Sequence, residues 1–171
     1  MKLKRIALLS LCGMILTLAL RTAAQPAGAS AKFGAKWQAL LGEWKGENTS
    51  GGSAGACGFH LDLADHVIIR TNLAVLAAAG AHDDLMIISP GATEDKARAV
   101  YFDNEAHVIE YEAAWSVDGN TLTFLSKPAA GPRFRLTYQK ADAKTFSVTF
   151  EMAPPGQAAF KVYTSGKIKR A

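Results

Sequence analysis

A two-residue alternation of apolar and polar side chains runs through most of this 171-residue chain and constrains its fold more than any other feature. Leu61 and Leu63, for example, alternate with His60 and Asp62. This period is typical of a β-strand with one buried face. The predicted strands are residues 43–49, 59–63, 66–76, 83–89, 96–103, 106–116, 121–126, 133–139, 145–152 and 160–169.

The connections between these predicted strands are short. Asp118-Gly119 is a strong hairpin signal, and Pro90-Gly91 and Asn104-Glu105 are typical turn sequences. A parallel pair needs a crossover of a dozen or more residues, so antiparallel pairing in chain order is expected. Closure removes both sheet edges, and the sequence therefore favours an all-β, up-and-down antiparallel barrel of about ten strands. A two-sheet sandwich has the same alternation and is the main alternative.

A membrane-spanning barrel is a further alternative, in which the apolar face would point outward. Such barrels carry a tall apolar band and girdles of aromatic residues. Charged residues on single strand faces, such as Glu110 with Glu112, argue against it. Arg135 lies between Phe134 and Leu136 and is expected outside if those two fill the core.

One short helix is predicted before the first strand. Apolar residues at Phe33, Trp37, Leu40 and Leu41 have helical spacing, which predicts an amphipathic helix over residues 33–41. Gly42 is expected to end the helix. A helix of this length is expected to cap one end of the barrel.

The N-terminus has the pattern of a cleavable secretory signal. A basic start precedes an apolar run from Ile6 to Leu20, and small residues follow up to Ala24. We therefore expect residues 1–24 to be a signal peptide, residues 25–32 a flexible leader, and residues 33–171 one domain. The expected location is the periplasm or the exterior of the cell, without stable membrane insertion after cleavage. An uncleaved N-terminal anchor is the alternative.

The charge of the predicted mature chain excludes one class of partner. The first 24 residues hold four of the 19 Lys and Arg residues and no acid, which leaves 15 basic against 15 acidic residues. A formally neutral chain gives no argument for binding nucleic acid. Cys57 is the one cysteine after residue 24, so it is expected to be a small packed residue without an intrachain disulfide.

The segment LGEWKGE at residues 41–47 resembles the opening of calycin barrels, which begin with a short helix followed by Gly-x-Trp. Here Gly42 and Trp44 match, and the resemblance implies that Trp44 plugs the barrel end beneath the helix. The form Gly-x-Trp-x-Gly-Glu and the C-terminal stretch MAPPGQAAFKVYTSGKIKR are similar to the ten-stranded, nitrobindin-like branch. Segments HDDLMIISP, YFDNEAHVIEY and PRFRLTYQK resemble an uncharacterised family of bacterial lipocalin-like domains.

The nitrobindin-like branch binds haem through a His on the last strand, and this chain departs from that pattern. The matching position falls near Val162, and the sequence has no His after His107. Tyr163 is next to this position, and tyrosine ligates iron in some haem proteins. No cofactor is expected, and the resemblance supports the fold without supporting haem binding.

Candidate catalytic residues are few. His82, Asp83 and Asp84 combine an imidazole with two carboxylates, a set suited to metal binding or general base catalysis. On a strand, His82 and Asp84 point to one side and Asp83 to the other. If His107 lies at the same rim, His82, Asp84 and His107 would form a two-His, one-carboxylate site.

The favoured function is binding or carriage of a small apolar or amphipathic molecule inside the barrel. Arg70 is the best candidate for an interior cation, since both faces of its strand are partly apolar. The predicted ligand-binding residues are Trp44, Arg70, Tyr111 and Tyr163. The alternatives are a small enzyme with a rim site at His82, Asp84 and His107, and an envelope interaction protein. The sequence predicts neither the ligand nor the oligomeric state.

Overall fold

A computed structural model describes residues 32–47, 54–76, 80–128 and 130–171 of the chain. The predicted signal peptide, and all of the predicted leader except Lys32, lie outside the described residues. The described part contains one α-helix, α1 (Ala35–Gln38). Its strands are β1 (Gly42–Glu47), β2 (Ala54–Asp62), β3 (Val67–Leu76), β4 (Gly80–Pro90), β5 (Lys96–Asp103), β6 (Val108–Trp115), β7 (Thr121–Ser126), β8 (Arg133–Asp142), β9 (Thr145–Ala153) and β10 (Lys161–Arg170).

The strands form a closed barrel of ten antiparallel strands in chain order. Each strand pairs with its neighbours in sequence, and β1 closes the barrel against β10, with Lys45 opposite Lys169. Closure decides between the two predicted architectures in favour of the barrel and against the sandwich. The strand predictions agree with the structure in number and order, and β5 and β7 agree in their bounds.

The second strand is predicted to start at Phe59, but β2 begins earlier, at Ala54. The strand needs small residues here because its neighbours approach closely. A Cβ added at Gly55 would lie 3.1 Å from the carbonyl oxygen of Leu73, and one added at Gly46 would lie 3.3 Å from the Gly55 nitrogen. The glycines therefore belong to a tightly packed part of the wall.

Helix α1 is shorter than the predicted range of residues 33–41: only residues 35–38 are helical. Gly42 then takes a φ of +110° as the chain turns into β1. This value is in the region that favours glycine. Within the described residues, no helix is long and apolar enough to cross a membrane.

The barrel end beneath α1, here called the helix end, is filled by aromatic side chains. Trp37 packs edge-on against Trp115, and Trp44 packs edge-on against Phe146. The indole of Trp44 donates a 2.7 Å hydrogen bond to the carbonyl oxygen of Leu40. The opposite end, where Asp103, Ser126 and Ala153 end their strands, is called the far end.

Candidate functional site

The interior of the barrel contains a buried ion pair. Arg70 on β3 and Asp84 on β4 both point inward, and their side chains are only 7% and 4% exposed. The Arg70 Nη1 donates a hydrogen bond to Asp84 Oδ1. The structure therefore places Arg70 inside the barrel, as the sequence suggested. Its part in ligand binding stays a prediction.

Asp84 also makes contacts through its second oxygen. Asn72 Nδ2 donates a 2.7 Å hydrogen bond to Asp84 Oδ2, and His82 Nε2 lies 3.7 Å from the same oxygen. Burial opposes the charged form of Arg70, but Tyr138 and Asp84 outweigh it and raise the Arg70 pKa above its ordinary value. The guanidinium is thus charged and has its counter-charge within the barrel.

Polar contacts continue from this ion pair to the rim of the far end. Tyr101 donates from its hydroxyl to Asp103 Oδ2 over 3.2 Å, and the same hydroxyl lies 2.9 Å from His82 Nε2. His107 Nδ1 lies 2.9 Å from Asp103 Oδ2. We call this set the polar network: Arg70, Asn72, His82, Asp84, Tyr101, Asp103 and His107.

Asp103 anchors the rim of the polar network. Its Oδ1 accepts hydrogen bonds from the backbone N–H groups of Glu105 and His107, over 3.0 and 2.9 Å. Burial favours the neutral acid, but the hydrogen bonds from His107 and Glu105 outweigh it and lower the Asp103 pKa. Burial also raises the pKa of Tyr101, as do Asp84 and Asp103 beside it. Asp103 is consequently ionised and Tyr101 neutral at physiological pH.

The predicted catalytic candidates do lie in one network, but they do not converge directly. His82 and Asp84 share the inward face and Asp83 is exposed on the outward face, as predicted. Tyr101 and Asp103 stand between His82 and His107. Within the described ranges, no three His, Cys, Asp or Glu side chains are grouped so that they could hold a metal ion.

Asn72, Tyr101 and Asp103 belong to the polar network but are not among the site residues predicted from the sequence. Asp84 is paired with Asn72 on one side and with Asp103 on the other, and Tyr101 shares the inward face of β5 with Asp103. The sequence signal for these residues is a pair of polar side chains two residues apart on each of several adjacent strands. Such pairs predict one shared site only when the strand register is known, and alternation alone does not give the register.

Two unpaired donors lie next to the ion pair. The Tyr138 hydroxyl adjoins the Arg70 guanidinium closely enough to raise its pKa. Neither that hydroxyl nor Arg70 Nε has a hydrogen-bond partner within the described part of the chain. Phe59, Phe124 and Phe146 pack edge-on around the Tyr138 ring. Burial raises the Tyr138 pKa, so the hydroxyl keeps its proton.

An apolar wall lies at the far end on β8–β10, across the barrel from the polar network. Phe134 near the start of β8 stacks on Phe150, with ring centroids 5.8 Å apart, and Tyr163 meets Phe150 edge-on at 6.0 Å. Phe134 and Phe150 are half-buried against the core, whereas Tyr163 is 70% exposed. Tyr163 lies where the pairing of β10 with β9 shifts register. We call Phe134, Phe150 and Tyr163 the aromatic wall.

The remaining predicted ligand-binding residues lie in different places. Trp44 is fully buried at the helix end, where its ring lies under the Arg170 guanidinium at 4.4 Å. Tyr111 is buried inside the barrel and meets Tyr101 and Phe124 edge-on. Trp44 is thus the plug that the resemblance implied, and Tyr111 lines the interior beside the polar network.

Cys57 and Arg135 have the surroundings expected from the sequence. Cys57 is buried, and desolvation raises its pKa to about 11. Arg135 binds both oxygens of Glu151, over 2.5 and 2.7 Å, and lies over the Phe160 ring. Neither residue belongs to the polar network.

Two depressions lie on the outer surface of the described residues. One of about 190 Å³ lies on the wall of β1–β4 and includes Glu43, Asn72 and Asp83. The other, of about 230 Å³, lies beside the helix and includes Phe33 and His66.

Fold and site together define a closed antiparallel β-barrel that is plugged by aromatic residues at one end and has polar groups inside toward the other. No family model and no curated protein matches the sequence. Among solved structures, the crystal structure of Rv2717c from M. tuberculosis is similar, with a TM-score of 0.59 and 15% identity. The similarity covers 82% of this chain and 99% of that chain. At this identity it shows the fold alone.

Proposed function

We propose that the protein binds a small amphipathic molecule at the far end of the barrel. The observation that carries the proposal is the presence of two unlike surfaces on opposite sides of that end. The polar network lies on β3–β5 and the aromatic wall lies on β8–β10. Ligand sites in barrels combine apolar walls with a few fixed polar groups, and barrel mouths are a common place for them.

The buried ion pair supports a functional site. Burying two charges is costly, and a well-packed apolar pair in their place is often equally stable or more stable. The Arg70–Asp84 pair is nonetheless deeply buried, and Arg70 Nε and the adjacent Tyr138 hydroxyl have no hydrogen-bond partner among the described residues. Buried donors without partners are uncommon in native proteins and are costly unless a ligand or water satisfies them.

Entry of a ligand requires side-chain movement. The aromatic wall lines neither surface depression. We propose that the aromatic wall supplies the movement, because Phe134 and Phe150 are only half-buried and Tyr163 is largely exposed. Ligand binding would then bury these three rings further.

The fold is compatible with membership of the calycin superfamily, and we propose the nitrobindin-like branch on the residues that resemble it. Trp44 beneath α1 and the ten-stranded closure support this placement. We do not extend haem binding to this chain, because Val162 and Tyr163 stand where the branch has its His. The N-terminal pattern supports export as part of the proposal.

Native mass spectrometry of the protein purified from its own host, together with displacement of an apolar fluorescent dye, tests the proposed binding. A co-purifying small molecule, or dye binding that Phe150→Ala weakens, is the expected result. Val117→Ala is the matched control, because Val117 is exposed in the β6–β7 turn at the helix end. Absence of both ligand and dye binding would contradict the proposal.

A rim enzyme is the second candidate function, favoured by the hydrogen-bonded series His82, Tyr101, Asp103 and His107. Such a series orients an imidazole for general acid–base work. Metal analysis and His82→Ala and His107→Ala variants, screened against hydrolase and isomerase substrates, test it. Turnover lost in either variant would support catalysis, and absence of turnover in the wild type would contradict it.

A further inference from the structure

We propose that the polar group of the ligand is an uncharged hydrogen-bond acceptor, such as an ester or amide carbonyl, held by Arg70 Nε–H and Tyr138 O–H. This inference rests on the proposed binding function and names the chemistry of its polar contact. An interior arginine in a barrel first suggests a carboxylate ligand. The surroundings of Arg70 instead favour an uncharged acceptor.

The charge of Arg70 is already balanced. Asp84 Oδ1 accepts from its Nη1, and Asn72 binds the other oxygen of Asp84. A ligand carboxylate placed against Arg70 would add a second negative charge near Asp84 with no further buried cation in the polar network. Like charges a few ångströms apart in a low-dielectric interior repel strongly. An anionic head group is therefore disfavoured.

The hydrogen-bonding capacity of Arg70 is incompletely used. Its Nε–H has no partner in the described part of the chain, and the same holds for the Tyr138 hydroxyl beside it. Both side chains are more than nine-tenths buried. A carbonyl oxygen has two lone pairs and accepts from two donors at once. An uncharged acceptor thus satisfies both groups without adding charge.

The surroundings of this donor pair suit the remainder of an apolar ligand. Phe59 and Phe124 contact the Tyr138 ring, and Tyr111 lies next to Phe124. From there the inward faces of β8 and β9 lead to Phe134 and Phe150 at the far end. We therefore place an acyl chain between the donor pair and the aromatic wall.

Isothermal titration of the full mature protein with decanoate and with methyl decanoate, at a pH where the acid is ionised, tests the inference. The two probes share one chain and differ in charge at the polar group. We expect the ester to bind at least about tenfold more tightly than decanoate, a difference of about 1.4 kcal/mol. Tyr138→Phe is expected to weaken ester binding by several-fold, because one of the two donors is lost.

The variant Asp84→Asn tests most directly whether the charge of Asp84 sets the preference for the ester. It removes the counter-charge of Arg70, so the preference should reverse in favour of decanoate. Asp83→Asn is the matched control, because Asp83 is the adjacent carboxylate on the outward face and should leave the preference unchanged. If Asp84→Asn does not fold, the inference is still tested by the two probes on the wild type and by ester binding to Tyr138→Phe.

The outcomes separate the two proposals. Tighter wild-type binding of decanoate than of its ester, or equal affinity, would overturn the inference while the binding function stands. Ester binding that is unchanged in Tyr138→Phe would also overturn it. Failure of the wild type to bind either probe or any apolar dye would contradict the binding function, and this inference would fall with it.

Discussion

Arg70 and Asp84 are diagonal partners across β3 and β4: Arg70 lies opposite Met86, and Asp84 lies two residues before Met86 and opposite Asn72. The two charges therefore share the inward face and meet although they are not directly paired. A slip of this register by one residue would turn either strand over and separate the charges. We infer that the ion pair contributes to register specificity as well as to the site.

The first prediction concerns the cost of breaking this ion pair. Asp84→Leu should lower the free energy of unfolding by about 3–5 kcal/mol, because it leaves the Arg70 charge buried without a partner. The double variant Asp84→Leu with Arg70→Met should regain most of that loss, since no charge is then left unpaired. Urea denaturation of the single and double variants checks both. A double variant as unstable as Asp84→Leu would contradict the account.

Two tyrosines with different hydrogen bonding give the second prediction. Tyr138→Phe should leave the free energy of unfolding unchanged or raise it by up to about 1 kcal/mol, because the buried Tyr138 hydroxyl has no partner among the residues that the structure describes. Tyr101→Phe should lower it by about 1 kcal/mol, because that hydroxyl binds Asp103 and His82. Denaturant titration compares the pair. An equal loss in both variants would argue against the unpaired state of Tyr138.

The third prediction is a pH dependence at Asp103. Its pKa in the folded protein is lowered below the ordinary value of 3.8, so its carboxylate stabilises the fold above about pH 4. That contribution is lost as the pH falls through the lower folded pKa. Asp103→Asn should therefore destabilise the protein at pH 7 by about 1 kcal/mol, and the difference from wild type should shrink in acid.

Thermal unfolding of wild type and Asp103→Asn between pH 7 and pH 2 measures this difference. Asp83→Asn is the control, since Asp83 is an exposed carboxylate on the outward face of a neighbouring strand. A difference between wild type and Asp103→Asn that stays constant down to pH 2 would show that the ionised Asp103 does not stabilise the fold.

The strand order of the barrel could be predicted from the sequence because alternation and short turns are local properties. Asp118-Gly119 illustrates this, since Gly119 has the positive φ that such hairpins need. The start of β2 could not be predicted, because Gly55 is selected by a contact with β3. The apolar strand neighbours of Arg70 are a local signal and predict an interior position for its side chain. Its partnership with Asp84 depends on a register between strands that local patterns do not contain.

The fourth prediction concerns the turn between β2 and β3. Leu63, Ala64 and Asp65 are three consecutive non-glycine residues with positive φ, between 50° and 67°. Such a conformation costs L residues about 1 kcal/mol each. Ala64→Gly should therefore stabilise the protein by about 0.5–1 kcal/mol. Ala114→Gly, on the outward face of β6, should destabilise it by a similar amount.

The melting temperatures of Ala64→Gly and Ala114→Gly, measured side by side, check the turn. The expected shifts have opposite signs. A decrease in both variants would mean that the positive φ at Ala64 does not strain the native state.

Ligand-induced changes in backbone amide chemical shifts test the central claim, binding at the far end, most directly. On titration with methyl decanoate, we predict large shifts for residues of the far end, including Tyr101, Phe134 and Phe150, with little change at Trp37 and Trp115. Saturable shifts confined to the helix end or the outer wall would contradict the account. So would an unchanged spectrum with this and every other apolar probe.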